Sequence, residues 1–337
     1  RDAIRSRGLG DVYKRHEKEL PGVLEKVSPD IVGVDNVILF PAIKRYAREN
    51  NKPWVRVISC SENEIPDPQI PPHLSGCGEN DSECFSAYQN HFNEVIQPIH
   101  DRFNAFLAEC GEAAYPVGEF FEASPHMNLL LYPEPVKFNR STPLDPGQFQ
   151  YLEGCVRDEE AYEVPQFKAH NDAPLLYVSF GSLGSGDTGL LRRLMDVVST
   201  MPVRALFNVG DYESEYDTVP DNVQIASWYP QPSVISQADA VIHHGGNNSF
   251  NECLYFGKPA IIMPYVWDGH DNAKRIAETG HGHHLHRNHW KPKELRATIE
   301  SMLSNQAMQE RLAATSAHMR SEHGPTKAAA ILDQLLI

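Results

Sequence analysis

The stretch "AVIHHGGNNSFNECLYFGKPAII", residues 240–262, decides the fold. "AVIHH" is an apolar run of strand length, residues 248–256 carry helical spacing, and "PAII" is a second apolar run after a Gly257-Lys258 break. Strand, helix and strand joined by short breaks form a βαβ unit, which commits the strands to a parallel sheet. The first junction is unusual in its chemistry. Gly245 and Gly246 let the backbone turn sharply and approach a ligand, while Asn248 and Ser249 stand where the helix starts. Free amides and a helix dipole suit an anion there, and His244 adds a donor. A tight turn with an ordinary Asn or Ser cap would explain the same residues without a ligand. Glu252, one turn into the helix, favours the ligand, because a carboxylate beside a phosphate site suits ribose hydroxyls.

Working outward, the alternation continues on both sides. Downstream of Pro174 come the strand "LLYVSF", a helix over 188–200, the strands "VRALFNV" and "VQIASW", a short helix over 232–238 and, after "PAIIMP", a helix over 271–279. Upstream, a helical pattern runs from Glu17 to Val27, followed by "IVGVDNVIL", the helix "FPAIKRYAREN" and the strand "WVRVIS". Residues 61–86 are rich in Pro, Glu, Gly and Ser and are expected to form a long loop. Helical spacing returns over 87–111, and "MNLLLYPEP" is expected to be a buried strand ended by prolines. The expected organisation is a partial N-terminal domain over 16–150, a linker over 151–173, a C-terminal domain over 174–323 and a last helix over 324–337. Residues 1–15 are set aside from the fold, because "DVYKR" resembles the translated end of a transposon adapter used in sequencing libraries.

Composition narrows the partners. A formal charge of −15 argues against a nucleic-acid groove or an anionic membrane surface, both of which attract basic faces. No apolar run reaches the length of a spanning helix and no signal peptide opens the chain, so the expected location is cytoplasmic. The six cysteines lack any CxxC spacing, and free thiols are the default; Cys77 and Cys84, in a Gly/Asn/Asp/Ser-rich loop, are the one plausible bridge.

Other motifs lie at strand ends, where α/β folds place ligands. In "WYPQP", Trp228 can stack on a base and Gln231 can bond base or sugar, or the indole can simply pack at a strand end. In "WDGHDNA", Asp268 can accept bonds from sugar hydroxyls or cap a helix. "GSGDTG", residues 184–189, matches GxGxxG with Asp211 about 20 residues on, but its last glycine falls where the helix should already have begun. That leaves an NAD-dependent oxidoreductase as a weak alternative. "HGHHLHRNH", residues 281–289, puts His284 and His286 on one strand face without the interleaved Cys, Asp or Glu of a zinc site, and no metal is expected.

Taken together, "WYPQ", "HGGNNS" with Glu252 after it, "PYVWDGHDNA" and the upstream "FGS" resemble the donor-binding signature of the family-1 nucleotide-sugar glycosyltransferases, closest to the macrolide-glycosyltransferase-like bacterial branch. The resemblance covers roughly the last 150 residues. It implies a GT-B fold: two Rossmann-like domains facing across a cleft, here with the N-terminal one incomplete, and "KAAAILDQLL" as a helix crossing back. It implies that Trp228 stacks the base, Gln231 and Glu252 hold base and ribose, and His244, Gly246, Asn248, Ser249 and Ser182 bind the diphosphate. Asp268 would hold the sugar. The usual Asp-Gln is Asp268-Gly269 here, so the hexose is left open. The implied chemistry is an inverting, cofactor-free and metal-independent transfer of hexose from a UDP-sugar or other NDP-sugar to a hydroxyl of a small lipophilic acceptor. Asp35 would support a histidine base belonging to a segment ahead of residue 1, so this polypeptide is expected to transfer little. A nucleotide-sugar-binding chain without catalysis is the second alternative.

Overall fold

The computed structural model describes residues 2–35 and 40–337, residues 2–13 by their backbone alone. Helix α1 (Asp2–Val27) leads into strand β1 (Val32–Asp35), helix α2 (Pro41–Asn50) and strand β2 (Trp54–Ile58). Helix α1 runs through the stretch that the sequence set aside. Lys14 pairs with Glu109, and Glu17 accepts the Ala42 amide at 2.9 Å and pairs with Arg45, tying α1 to α2. The last four residues of "IVGVDNVIL" lie outside the described residues.

A long connection, with a short buried turn at Glu62–Glu64, precedes helix α3 (Ser82–Glu109) and strands β3 (Met127–Leu130) and β4 (Phe149–Tyr151). Helix α3 starts five residues before the expected Glu-rich boundary at 87, because Asp81 caps it by accepting the Cys84 amide at 3.0 Å. Cys77 and Cys84 are joined, with their Cα atoms 5.8 Å apart, which overturns the free-thiol default for this pair.

The second half begins with β5 (Leu175–Ser179), a short turn of helix α4 (Gly181–Gly184), α5 (Thr188–Val198), β6 (Arg204–Asn208) and β7 (Val223–Ala226). It continues through α6 (Gln231–Gln237), β8 (Ala240–His243), α7 (Asn247–Tyr255), β9 (Ala260–Ile262), α8 (Gly269–Glu278) and β10 (Gly282–His284). Helices α9 (Pro292–Ser304), α10 (Gln306–Arg320) and α11 (Gly324–Gln334) complete it. His286 lies beyond the end of β10 and stacks on His289 at 4.2 Å, so it does not share a strand face with His284.

All strand pairs are parallel. One sheet has the order β1-β2-β3-β4, the other β10-β9-β8-β5-β6-β7. The second order is that of a doubly wound dinucleotide-type sheet, in which the chain winds outward from β5 to β7 and returns to β8 on the other side. A crevice therefore opens between the carboxyl ends of β5 and β8, where Ser179 stands in register with His243.

The sheet strands are apolar because helices cover both faces, and β5, β8 and β9 are buried along their whole length. The halves are held together by several kinds of contact. The ring of Tyr132 stacks on Phe250 of α7 at 5.6 Å, while Ile331, Leu332 and Leu335 at the end of the chain pack against Val55, Met127 and Leu129 of the first sheet. Arg275 donates to the carbonyls of Val136 and Lys137 and pairs with Glu79 at 2.7 Å.

Candidate active site

The crevice brings two turns side by side: Phe180-Gly181-Ser182 after β5 and His244-Gly245-Gly246 after β8. Gly245 has φ +92, and a Cβ there would sit 2.7 Å from the Gly269 carbonyl oxygen and from Ile262. The glycines are thus required by a close approach of two backbones. The imidazole of His244 fits between Gly181 and Gly246, whose added Cβ atoms would lie 3.0 Å and 2.6 Å from the ring.

Gly246, not Asn248 or Ser249, is the N-cap of α7, and it offers no side-chain cap. The first backbone bond of the helix runs from Phe250 to Gly246. The Asn247 amide is taken by the carboxylate of Asp268, whereas the amides of Asn248 and Ser249 meet no protein acceptor among the described residues. Two free N–H groups at a helix start carry the positive end of its dipole. Asn248 and Ser182 are exposed beside them.

Three residues distant in sequence meet below this point. Gln231, at the start of α6, donates to Ser249 Oγ at 3.0 Å and to Glu252 Oε2 at 2.6 Å. Glu252 Oε1 faces Arg157 Nη1 at 3.1 Å. Burial pushes the Glu252 carboxyl up, and the Gln231 bond and the Arg157 charge pull it back. Trp228 precedes this group with 55% of its surface exposed, although large aromatic side chains normally bury themselves. It does not pack at the strand end; its neighbour Tyr229 does so, against Tyr162 and Tyr177.

Asp268 occupies the cap position of α8 but makes no side-chain cap bond. Besides the Asn247 amide, its carboxylate meets Asn272 Nδ2 at 3.5 Å. Burial, then the neighbouring Asp271 charge, raises it to about 6. Asp268 and Trp267 close one end of a cavity of 1270 Å³ whose other walls come from the first half, including Phe85, Tyr88, Phe92, Phe120 and Phe121. Asp35 ends β1 and is exposed; its charge reaches Glu64 on the same cavity wall. The structure thus gathers the crevice residues and Asp268 at the second sheet, with Asp35 apart from them at the end of β1 in the first.

Several participants escaped the sequence reading. Arg157 lies in the stretch taken for a linker, and Asn247, Asp271 and Asn272 sit inside quoted motifs without being singled out. Arg287, from the histidine-rich turn, is buried over the Phe180 ring and pairs with Asp187 at 3.1 Å. Burial first, and then the Arg287 charge, lower His244, although a bond to the Ser179 carbonyl opposes them; the ring is a neutral donor at neutral pH.

His243 is wholly buried, takes the Gly245 amide on Nδ1 at 3.1 Å, and is held down by burial to about 3. Between its ordinary 6.5 and that value the unfolded chain carries a proton that the folded chain lacks. Its contribution to stability is therefore present above 6.5 and lost on acidification. His243→Gln is expected to flatten the fall in stability between about pH 7 and 5 by up to about 1.4 kcal/mol per pH unit, measured by urea unfolding. An unchanged slope would contradict this.

The remaining motifs behave differently. Gly189 lies inside α5 with only Asp187 Oδ1 near its Cβ position, at 3.7 Å, so it does not provide the tight helix–strand packing of a dinucleotide fingerprint. Asp211 is exposed on a turn. Among the described residues, one group could gather around a metal ion, Glu134, Glu153 and His318, with ligand atoms within 4.8 Å of one another and away from the crevice. No described helix is long and apolar enough to cross a membrane.

Comparison with known proteins adds the family. Residues 192–335 match the model of the erythromycin biosynthesis protein CIII-like C-terminal domain. The oleandomycin glycosyltransferase of Streptomyces antibioticus is 25% identical over 73% of this chain and 60% of its own length. The NDP-glycosyltransferase YjiC of Bacillus subtilis is 25% identical over 91% of this chain and 73% of its own. The crystal structure of the glycotransferase of kitacinnamycin superposes with a TM-score of 0.78 at 20% identity, covering 97% of this chain and 82% of that one. Of two other curated relatives the chain spans 39% and 34% of the length. With the crevice, the two parallel sheets and these matches, the chain is similar to the family-1 glycosyltransferases of the macrolide-type branch and has the GT-B fold.

Proposed function

We propose that the chain binds a nucleoside diphosphate sugar, UDP-linked or a close analogue, in the crevice of the second sheet and transfers the hexose with inversion to a hydroxyl of a small lipophilic acceptor. The observation that carries this reading is the Gln231–Ser249–Glu252 group beside the exposed Trp228 and the two free amides of α7. Base, ribose and diphosphate each find a chemically suited partner within that array. His244, Gly246, Asn248, Ser249 and Ser182 surround the diphosphate, and amides aimed at it stabilise the charge that develops on the leaving group. Asp268, at the end of the aromatic cavity, holds the sugar, and the cavity holds the acceptor. Asp35, at the end of β1, supports the acceptor side in this scheme. No resident metal or cofactor is needed in this scheme.

Asp268→Asn tests the assignment directly. Transfer from UDP-glucose or dTDP-glucose is expected to fall by about tenfold or more while UDP affinity stays the same, because a hydrogen bond to a charged group contributes roughly 1.5–3 kcal/mol. Product analysis by NMR from an α-linked donor should show a β-linkage. Binding of NADH without binding of UDP or dTDP would sink the reading.

A further inference from the structure

Two bulky residues on the cavity hold a backbone conformation that bulky side chains avoid. Among the described residues, five other than glycine have a left-handed φ, and the two with large apolar side chains are Leu74 at +66 and Trp267 at +53. Both line the cavity, Leu74 from the connection between β2 and α3 and Trp267 from the turn that leads into α8. Strain of this kind persists where the surrounding structure imposes it, and it gathers at sites that use it. Leu74 has a structural reason for its conformation, because its amide is held by the Asp271 carboxylate at 2.6 Å and its side chain is half-buried.

Trp267 has no such reason. Its side chain is 62% exposed, and no hydrogen bond, stacked ring or cation among the described residues engages the indole. The turn around it is held by backbone alone: the Val266 carbonyl accepts the Gly269 amide and the Trp267 carbonyl accepts the His270 amide, both at 3.3 Å. Glycine would satisfy that turn with less strain. The indole is therefore kept for something outside the fold. The other strongly exposed tryptophan, Trp228, stands by the crevice and does not line the cavity.

We infer that Trp267 is a specificity-determining residue that stacks on the acceptor, and that the acceptor class it selects is a planar aromatic hydroxyl compound. The inference rests on the glycosyl-transfer reading above. The first half supplies more rings to the same cavity: Tyr88 and Phe92 of α3, stacked on each other at 5.8 Å, together with Phe85, Phe120 and Phe121. A flat aromatic ligand makes offset and edge-on contacts with such rings that a saturated one of the same carbon skeleton does not. Because Trp267 adjoins Asp268, a ring held on the indole lies next to the group assigned to the sugar.

The test uses the full chain saturated with UDP and two ligands of one carbon skeleton: 2-naphthol, which is flat, and decahydro-2-naphthol, which is not. Equilibrium dialysis gives the Kd of each, and wild-type chain is expected to bind 2-naphthol the more tightly. In Trp267→Gly the 2-naphthol affinity is expected to fall by about 5- to 10-fold, the scale of an aromatic contact, and that for decahydro-2-naphthol by less than about twofold. Trp267→Phe keeps a ring and should restore most of the 2-naphthol affinity. UDP affinity should be unchanged, and the melting temperature of Trp267→Gly should not fall, since the backbone strain leaves with the indole. A lowered melting temperature, a matching loss of UDP affinity, equal losses on both ligands or no loss on either would overturn the assignment. So would a wild-type chain that binds UDP but neither ligand, or that prefers the saturated one; the donor site would then stand without this acceptor platform. A wild-type chain that binds neither UDP nor dTDP would remove the underlying reading as well.

Discussion

Trp228→Ala is expected to weaken UDP binding by about 5- to 100-fold, the scale on which base stacking on an aromatic side chain contributes roughly 1–3 kcal/mol. The indole is 55% exposed and absent from the core, so the melting temperature should not move. Glu252→Ala acts on the same ligand by another route. It removes the ribose acceptor and leaves Gln231 Nε2 and the Arg157 guanidinium facing an empty space where a buried carboxylate stood. A loss of about 10- to 100-fold in affinity is expected from a charged hydrogen bond of roughly 1.5–3 kcal/mol, together with a lower melting temperature. Isothermal titration with UDP checks both. Affinity equal to wild type in both variants would place the nucleotide elsewhere.

The second large effect is on folding. Gly245→Ala adds a methyl group 2.7 Å from a backbone oxygen and from Ile262, at a φ of +92 that side chains disfavour. Neither obstacle can swing aside, because the oxygen belongs to Gly269 at the start of α8 and Ile262 is in the middle of the sheet core. A loss of about 3 kcal/mol or more is expected from overpacking combined with backbone strain. Displacement of α8 would also move Asp268, so nucleotide-sugar binding should suffer with stability. Gly189→Ala is the matched control: its surroundings are open and it lies within a helix, so it should be neutral or stabilising by up to about 1 kcal/mol. Denaturant midpoints for the pair decide the matter; similar midpoints would show that the turn after β8 is not constrained as described.

The second half was legible because its strands are short continuous apolar runs bounded by Gly, Pro and Asn, and because helices alternate with them at regular spacing. The turn chemistry at 244–249 gave the position of the crevice, although the helix cap was assigned two or three residues too late: Gly246 caps through its backbone, which no side chain advertises. Strand β4 escaped since three residues shortly after Pro146 carry no period, and its pairing with β3 is a tertiary fact. Helix α1 was cut short because residues 1–15 were set aside on the likeness of their end to an adapter sequence, whereas the backbone there is helical from Asp2. Partners across the halves were not legible at all. Nothing in the local pattern around His73 or Arg157 announces that Asp271 or Glu252 will stand beside it, and the aromatic cavity is assembled from four separated segments.

Asp271 of α8 accepts the amides of Leu74 at 2.6 Å and Gly76 at 2.8 Å, and this clasp bears on how such proteins can be recombined. A chimera joined in the connection near residue 160 would separate residues 61–79 from the α8 that holds them, stranding a buried carboxylate from one parent against a foreign loop. A buried charge without its donors costs several kcal/mol, so most such exchanges should fold poorly even when each half is sound. Carrying the 61–79 loop along with the donor half, and leaving the aromatic walls of α3 and 117–121 to the other parent, keeps the clasp intact. The functional seam for exchanging acceptor preference thus runs through the first half, not along the apparent border between the two sheets.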